Sequence, residues 1–147
     1  MRALLERERL ALEGLTSTLR HFVRNNETRL LRVALGTVFV WFGALKIVGE
    51  TSVLGIIQST YPFLASAPLI QGLGVGEAIL GGGVLLGWRI RTFASLMALH
   101  LVGTLLVLFL APAAVFDPTF PILTLQGEFV MKNLVLVSAA LLLVERS

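Results

Sequence analysis

Long apolar stretches alternate with short polar segments along this chain. Four of the stretches approach the roughly 20 residues that a helix needs to cross a bilayer. They are residues 30–49, 70–88, 92–111 and 127–144. Apolar residues occupy every side of a helix in these stretches, which is typical of burial in lipid or protein, and no strand-like alternation competes. The pattern predicts an all-α membrane protein built as a four-transmembrane-helix bundle.

The segment before the first stretch has a different pattern. Residues 1–28 are too polar to span a membrane, yet their apolar residues recur along one helical face, opposite glutamates and arginines. This stripe consists of Leu5, Leu12, Leu15, Leu19 and Phe22. We predict an N-terminal amphipathic interfacial helix, followed by the transmembrane domain at residues 29–147. A partner-binding or coiled-coil helix is the alternative, although the stripe is short for a heptad pattern.

Composition excludes several kinds of chemistry. The chain of 147 residues is 56% apolar and has a mean hydropathy of +0.87, which places it above soluble domains. Because it contains no cysteine, it has no intrinsic disulfide, thiolate nucleophile, iron–sulfur cluster or cysteine zinc site. The net charge of +3 does not indicate nucleic-acid binding, because seven of the ten arginines precede residue 33 and flank the first span.

Basic residues predict the orientation in the membrane, since short loops rich in Lys and Arg stay in the cytoplasm. Arginines precede span one, separate spans two and three, and follow span four. The connections at residues 51–68 and 112–126 contain neither Lys nor Arg. We therefore expect both termini in the cytoplasm. The two proline-containing connections are expected to fold as caps on the outer face.

Glycines are concentrated in span two. They do not form a nucleotide-binding fingerprint, because that fingerprint follows a strand and opens a soluble helix. Gly72 with Gly76, and Gly83 with Gly87, instead have the small-xxx-small spacing that lets helix backbones approach closely. The spacing predicts a closely packed central helix. The missing side chains are also compatible with a ligand groove beside Glu77.

Four charged residues within or beside the spans form the candidate polar site. Placed by depth, Lys46, Glu77, Glu128 and Lys132 are expected in one layer near the outer surface. A charge at mid-membrane costs about 2.5–3.5 kcal/mol on insertion scales, so such residues face the bundle interior and find partners. Glu128 and Lys132 form a favourable i,i+4 pair, and Glu77 is expected to bind Lys46 or Lys132. Lys46 lies about one turn below the surface, where its ammonium can snorkel to the interface.

Two interpretations of this charge layer stay open. In one, the pairs only hold the helices together. In the other, they form an outward-facing site for a small polar or quinone-like molecule, with Trp41, Phe42 and Tyr61 as walls. His100, near the midplane of span three, is expected to bond a neighbouring Ser or Thr. A proton relay with Glu77 is the alternative for His100.

Three stretches carry a resemblance to a known family. They read "LLRVALGTVFVWFGALKIVG", "SAPLIQGLGVGEAILGGGVLL" and "FPILTLQGEFVMKNLVLVSAALLL". They contain W-x-G-x-x-K in span one, a Glu in a Gly-rich span two, and a Phe-Pro loop leading to a Lys in span four. Over about residues 29–144 the chain resembles the DoxX-like superfamily, most closely its YkgB/RclC-type branch. Lys46, Glu77 and Lys132 match the family's charged positions, whereas His100 and Asn133 depart from its pattern.

The resemblance implies a multi-pass protein of a bacterial-type inner membrane, linked to redox stress or respiratory sulfur metabolism. A quinone is the candidate ligand, and the expected partners are the bilayer, a membrane complex or redox protein, or a second copy of the chain. No catalytic residue and no metal site is predicted, and the chain is not expected to be an enzyme by itself. Two alternatives stay open: a structural accessory subunit of a larger membrane complex, and a small-solute transporter or channel.

Overall fold

The computed structural model describes residues 2–51, 54–64 and 66–147, with side chains from Leu12 onward except that of Leu64. Its helices are α1 (Arg2–Val48), α2 (Leu54–Thr60), α3 (Ala67–Leu86), α4 (Ile90–Leu105), α5 (Val107–Leu110), α6 (Pro112–Val115) and α7 (Leu125–Glu145). A 3-10 turn at Pro62–Leu64 precedes α3. Among the described residues, four helical segments are long and apolar enough to cross a membrane: Leu12–Val48 of α1, then α3, α4 with α5, and α7. The predicted all-α, four-span architecture is confirmed.

The second span starts a few residues earlier than the sequence pattern predicts. We expected the connection at residues 51–68 to fold as a cap, because prolines resist a continuous helix. Instead α3 begins at Ala67, since Pro68 lies in the first helical turn, where a missing backbone N–H costs no hydrogen bond. The earlier part of the expected cap folds as α2 and the 3-10 turn. Residues 52, 53 and 65 of that expectation lie outside the described residues.

The N-terminal arm and the first span form one uninterrupted helix. The predicted domain boundary at residue 28 falls inside α1, because the sequence has neither glycine nor proline between Gly14 and Gly36. At 1.5 Å per residue, 47 residues extend about 70 Å, more than twice the roughly 30 Å hydrocarbon core of a bilayer. The interfacial position of the arm stays a prediction.

The apolar stripe of the arm is exposed on α1. The described members of the stripe are each more than half exposed: Leu12, Leu15, Leu19 and Phe22. The side chain of Leu5, the remaining member, lies outside the described residues.

Two antiparallel helix pairs form the bundle. α1 packs along α3, and α4 packs along α7; α3 with α4 and α1 with α7 complete the ring. The main core lies between them and includes Leu35, Phe39, Val84, Met97 and Leu143. We call the end near the start of α3 and of α7 the loop end, because α2, α5 and α6 lie there. The opposite end, which holds the start of α4, is the arginine end.

Glycines form the contact between α1 and α3, but they are not the glycines that the spacing indicated. A Cβ atom on Gly81 would lie 2.7 Å from the carbonyl oxygen of Gly36, and one on Gly74 would lie 2.6 Å from that of Gly43. Gly72 and Gly76 face open space, so the predicted Gly72/Gly76 packing pair is wrong. The two true contacts are seven residues apart on each helix, which is two helical turns.

In the other predicted glycine pair, Gly83 and Gly87 have different roles. Gly83 lies against the ring of Phe93 on α4, so this glycine does serve close helix packing. Gly87 ends α3 in the left-handed conformation at φ 75°, where glycine avoids the steric penalty of a side chain. The guanidinium of Arg32 donates hydrogen bonds to the carbonyls of Val84 (3.1 Å) and Leu85 (2.9 Å). These bonds satisfy the last carbonyls of α3 and connect it to α1.

Short helices close the loop end of the bundle, as the prolines predict. A second apolar core joins Ile56 of α2, Val107 of α5, Val115 of α6 and Val130 of α7. The hydroxyl of Tyr61 donates a 2.9 Å hydrogen bond to the carbonyl of Gly103 on α4. These contacts hold α2 over the interior of the bundle.

Candidate functional site

A buried ion pair connects α1 and α3. The Nζ of Lys46 donates a hydrogen bond of 2.6 Å to Oε2 of Glu77. Lys46 is 6% exposed and Glu77 is 7% exposed, so both charged groups have left solvent. The predicted pairing of Glu77 with a lysine of another helix is confirmed. The expected snorkelling of Lys46 is wrong, because its ammonium turns into the bundle to meet Glu77.

His100 extends this pair into a three-residue cluster. Its Nε2 lies 2.8 Å from Oε1 of Glu77, the carboxylate oxygen that Lys46 does not use. The expectation that His100 bonds a neighbouring Ser or Thr is therefore wrong. A carboxylate only accepts hydrogen bonds, so Nε2 carries the hydrogen, and in the neutral imidazole Nδ1 is then the acceptor nitrogen. Within the described part of the chain, no group hydrogen-bonds Nδ1.

The depth of the cluster explains why His100 takes part. Glu77 lies ten residues after the start of α3 at Ala67, a rise of about 15 Å, and His100 lies ten residues after the start of α4 at Ile90. Since α3 and α4 enter from opposite ends, both residues reach the middle of the bundle. Sequence analysis placed Glu77 closer to the outer surface because it began the second span at residue 70.

A second hydrogen-bonded pair connects α4 and α7. The Nδ2 of Asn133 donates to Oγ1 of Thr104 at 2.8 Å, and Thr104 donates its own hydrogen to the carbonyl of Leu101 at 2.7 Å. Asn133 is 9% exposed. Neither Asn133 nor Thr104 was among the predicted site residues. An isolated Asn in an apolar span was the available signal, since a polar side chain at membrane depth requires a partner.

Both polar groups face one cavity inside the bundle. Its volume is about 670 Å³, and most of its lining is apolar. Phe42 and Tyr61 contribute to the walls, as predicted. The polar side chains that line it are Lys46, Thr60, Tyr61, Glu77, His100, Thr104, Lys132 and Asn133. The predicted groove beside Glu77 is thus a partly open cavity between the helices.

The remaining predicted residues occupy peripheral positions. Trp41 is 66% exposed and is absent from the cavity lining, so its predicted role as a wall is wrong. Lys132 lines the cavity with an exposed side chain, which places it at the rim. Glu128 is exposed in the first turn of α7. Glu128 and Lys132 approach no closer than 4.0 Å between charged atoms, so their expected ion pair does not form.

Thr60 has an unusual position beside the cavity. Its Oγ1 is buried and has no hydrogen-bond partner among the described residues. An unpaired buried hydroxyl costs about 1–3 kcal/mol. Thr60 is the last residue of α2 and lines the cavity, so α2 places this unpaired hydroxyl at the loop end of the cavity.

The arrangement suits hydrogen bonding to a ligand better than metal binding. Among the described residues, no group of three or more His, Asp or Glu side chains lies close enough together to hold a metal ion. The cluster instead presents unused N–H groups of the Lys46 ammonium and the acceptor Nδ1 of His100. The cavity can therefore receive an apolar molecule that carries an oxygen able to accept or donate a hydrogen bond.

Comparisons of the chain with protein-family models, with curated proteins and with solved structures found no match.

Proposed function

We propose that the protein binds a quinone, or a similar ring with oxygen substituents, and serves a redox-linked complex as a DoxX-like protein of a bacterial inner membrane. The observation that carries the proposal is the Lys46–Glu77–His100 cluster, which faces an otherwise mainly apolar cavity. Ligand pockets commonly have volumes of about 300–1,000 Å³, apolar walls and a few polar groups that fix orientation. The cavity of about 670 Å³ between the helices has these properties.

The cluster offers both kinds of hydrogen bond to one ligand oxygen. The ammonium of Lys46 has three N–H groups and uses one of them on Glu77, so it can donate to a quinone carbonyl. Nδ1 of His100 can accept from the hydroxyl of the reduced ring. Glu77 accepts from Nε2 of His100, so Nδ1 of the neutral imidazole is left for the ligand. Glu77 also balances the charge of Lys46, so the ammonium can lie buried beside the ligand oxygen.

Direct binding tests this proposal. The protein is purified in a mild detergent, its bound lipids are extracted and analysed for quinones, and the affinity for a decyl-para-benzoquinone is measured by equilibrium titration. We expect saturable binding, and about a 10- to 100-fold loss of affinity in Lys46→Met, since hydrogen bonds from charged groups contribute about 1.5–3 kcal/mol. Glu128→Gln is the matched control, because Glu128 is exposed and does not line the cavity.

A second variant separates ligand binding from helix packing. His100→Leu leaves the ion pair of Lys46 and Glu77 in place and removes the acceptor nitrogen. We expect this substitution to lower the affinity for the reduced ring more than the affinity for the oxidised ring, because only the reduced ring donates a hydrogen bond. Absence of both extracted quinone and saturable binding in the wild-type protein contradicts the proposed function.

The link to redox stress has its own test. Cells that carry His100→Leu in place of the wild-type residue should survive an oxidant challenge less well, with equal amounts of protein in the membrane. Cells that carry Glu128→Gln should survive like the wild type. Equal survival of all three strains contradicts this part of the proposal while leaving ligand binding in place.

A second candidate function is a structural accessory subunit of a larger membrane complex. The observation that favours it is the exposed apolar stripe on the arm of α1, which includes Leu15, Leu19 and Phe22. Large apolar side chains on one face of a projecting helix are typical of a surface that another protein covers. Its test is whether Leu15→Glu and Leu19→Glu abolish co-purification of a defined partner while the quinone affinity is unchanged.

A further inference from the structure

The second polar group of the cavity, Asn133, has hydrogen-bonding capacity that the protein does not use. Asn133 lies on α7 with its side chain nine-tenths buried, and it lines the same cavity as Lys46 and His100. A buried amide in a membrane span is costly unless its polar atoms are satisfied. Its one described side-chain hydrogen bond is the donation to Thr104. The remaining polar atoms of the amide are available at the cavity.

Thr104 fixes which way the amide of Asn133 points. The hydroxyl of Thr104 has a single hydrogen, and it donates that hydrogen to the carbonyl of Leu101. Towards Asn133 the hydroxyl can therefore only accept, so the amide must present its NH₂ group to Thr104. One N–H and the carbonyl oxygen Oδ1 of Asn133 are left. The protein thus holds a preoriented donor and acceptor in one side chain.

The two polar groups of the cavity lie about one helical turn apart. His100 and Thr104 are four residues apart on α4, so they lie on the same face with a rise of about 6 Å between them. One end of the cavity is therefore set by Lys46 and His100, and the other by Thr104 and Asn133. Phe42 contributes to the apolar lining of the same cavity.

We propose that Asn133 binds the second oxygen of a para-quinone or para-hydroquinone ring whose first oxygen is held by Lys46 and His100. This inference rests on the proposed function and adds a constraint that the function alone does not contain. A para-substituted ring that lies lengthwise along α4, beside His100 and Thr104, carries its two oxygens at successive turns of the helix, so each oxygen can meet one of the two polar groups. A ligand with a single oxygen satisfies only one end and leaves the other amide or ammonium groups unpaired, which lowers its affinity.

Both ends can bind the oxidised and the reduced ring. A quinone carbonyl accepts from Lys46 at one end and from the free N–H of Asn133 at the other. A hydroquinone hydroxyl donates to Nδ1 of His100 at one end and to Oδ1 of Asn133 at the other. The site therefore holds the ring in either oxidation state, as a protein that serves a redox complex requires.

The competing explanation is that Asn133 only connects α7 to α4 through Thr104. In that case its loss weakens helix packing and affects every ligand of the cavity alike. Binding to the second oxygen has a different consequence, because only ligands that carry that oxygen lose affinity. Two probes with the same tail distinguish these cases: a decyl-para-hydroquinone, kept reduced under anaerobic conditions, and the decylphenol that lacks one of its hydroxyls.

The test measures the dissociation constants of both probes for three purified proteins in the same detergent. We expect the wild-type protein to bind the hydroquinone about tenfold more tightly than the phenol. A tenfold difference in dissociation constant corresponds to one additional hydrogen bond near the upper end of its usual strength. Asn133→Leu has a similar side-chain volume and should remove this preference without changing the affinity for the phenol. Ser138→Ala, at an exposed position of α7 outside the cavity lining, should retain the preference.

Each outcome bears on a defined claim. If the wild-type protein binds neither probe nor the quinone, the proposed function and this inference both fail. If the wild-type protein binds them, the inference alone is wrong in two cases. Either Asn133→Leu lowers the affinity for both probes by the same factor, or it changes the affinity for neither. Should Asn133→Leu fail to fold, Thr104→Val releases the amide from its fixed orientation. The preference for the hydroquinone must then fall in that variant for the inference to hold.

Discussion

Breaking the ion pair between Lys46 and Glu77 should destabilise the bundle more than removing both of its charges together. Both side chains are more than nine-tenths buried, so a charge that loses its partner cannot regain water without opening the helices. Loss of one partner of a buried pair costs about 3–5 kcal/mol, whereas replacement of both charges is often close to neutral. A double-mutant cycle therefore separates the pair from its surroundings.

His100 makes the two single variants unequal. In Lys46→Met, Glu77 retains the hydrogen bond from Nε2 of His100. We therefore expect Lys46→Met to lower the free energy of unfolding by about 3 kcal/mol, the lower limit of this range. In Glu77→Gln, the ammonium of Lys46 retains only a neutral amide oxygen, and His100 supplies no negative charge. We expect about 5 kcal/mol for this variant and about 1–2 kcal/mol for the double variant.

Reversible unfolding by SDS in mixed micelles measures these differences, with tryptophan fluorescence from Trp41 and Trp88 as the signal. Glu128→Gln is the control, and as an exposed substitution it should stay within about 0.5 kcal/mol of the wild type. The reasoning is refuted if the double variant loses as much stability as the two single variants combined. It is also refuted if Lys46→Met unfolds like the control.

Three further predictions follow from single contacts. Gly81→Ala should destabilise the protein by about 1–3 kcal/mol in SDS unfolding, because its Cβ would lie 2.7 Å from backbone atoms of α1, whereas Gly76→Ala, facing open space, should be neutral or stabilising. Thr60→Val removes an unpaired buried hydroxyl and should stabilise the ligand-free protein by about 1 kcal/mol, while Thr104→Val, which breaks two hydrogen bonds, should destabilise it. The hydroxyl and the backbone N–H of Thr119 donate hydrogen bonds to the carboxylate of Asp117, and they hold its pKa below the ordinary value of 3.8. A carboxyl NMR titration should give a midpoint below that value, and any stabilisation from these bonds is present at neutral pH and lost as the pH falls through the midpoint.

The sequence predicted the spans because hydrophobicity over 20 residues is a property of the chain itself. It also predicted that Glu77 would bind a lysine of another helix, since a charge at that depth needs a partner. The choice between Lys46 and Lys132 depended on which face of each helix turns inward. That choice is set by helix packing, and span boundaries alone do not determine it.

Sequence spacing failed for the glycines and for His100 because both depend on contacts between helices. Gly72 and Gly76 have the spacing of a packing pair, yet α3 turns Gly74 and Gly81 towards α1. Hydrophobicity all round the helix gives no signal for which face is inside, so every glycine pair looked equivalent. The partner of His100 was missed because a shift of three residues in the start of α3 moved Glu77 away from the level of His100.

The glycine contacts and the candidate site are parts of one arrangement. A Cβ on Gly74 would lie 2.7 Å from the Cβ of Lys46, so the absence of a side chain at this position is what lets Lys46 lie against α3. Glu77 follows Gly74 by three residues, slightly less than one helical turn, and therefore faces the same side. The side chain of a helical residue leans towards the N-terminus of its helix, which directs Lys46 away from the loop end and towards Glu77. The same close approach of α1 and α3 thus packs the bundle and places the ammonium at the cavity, so the packing and ligand-binding interpretations of the charge layer do not exclude each other.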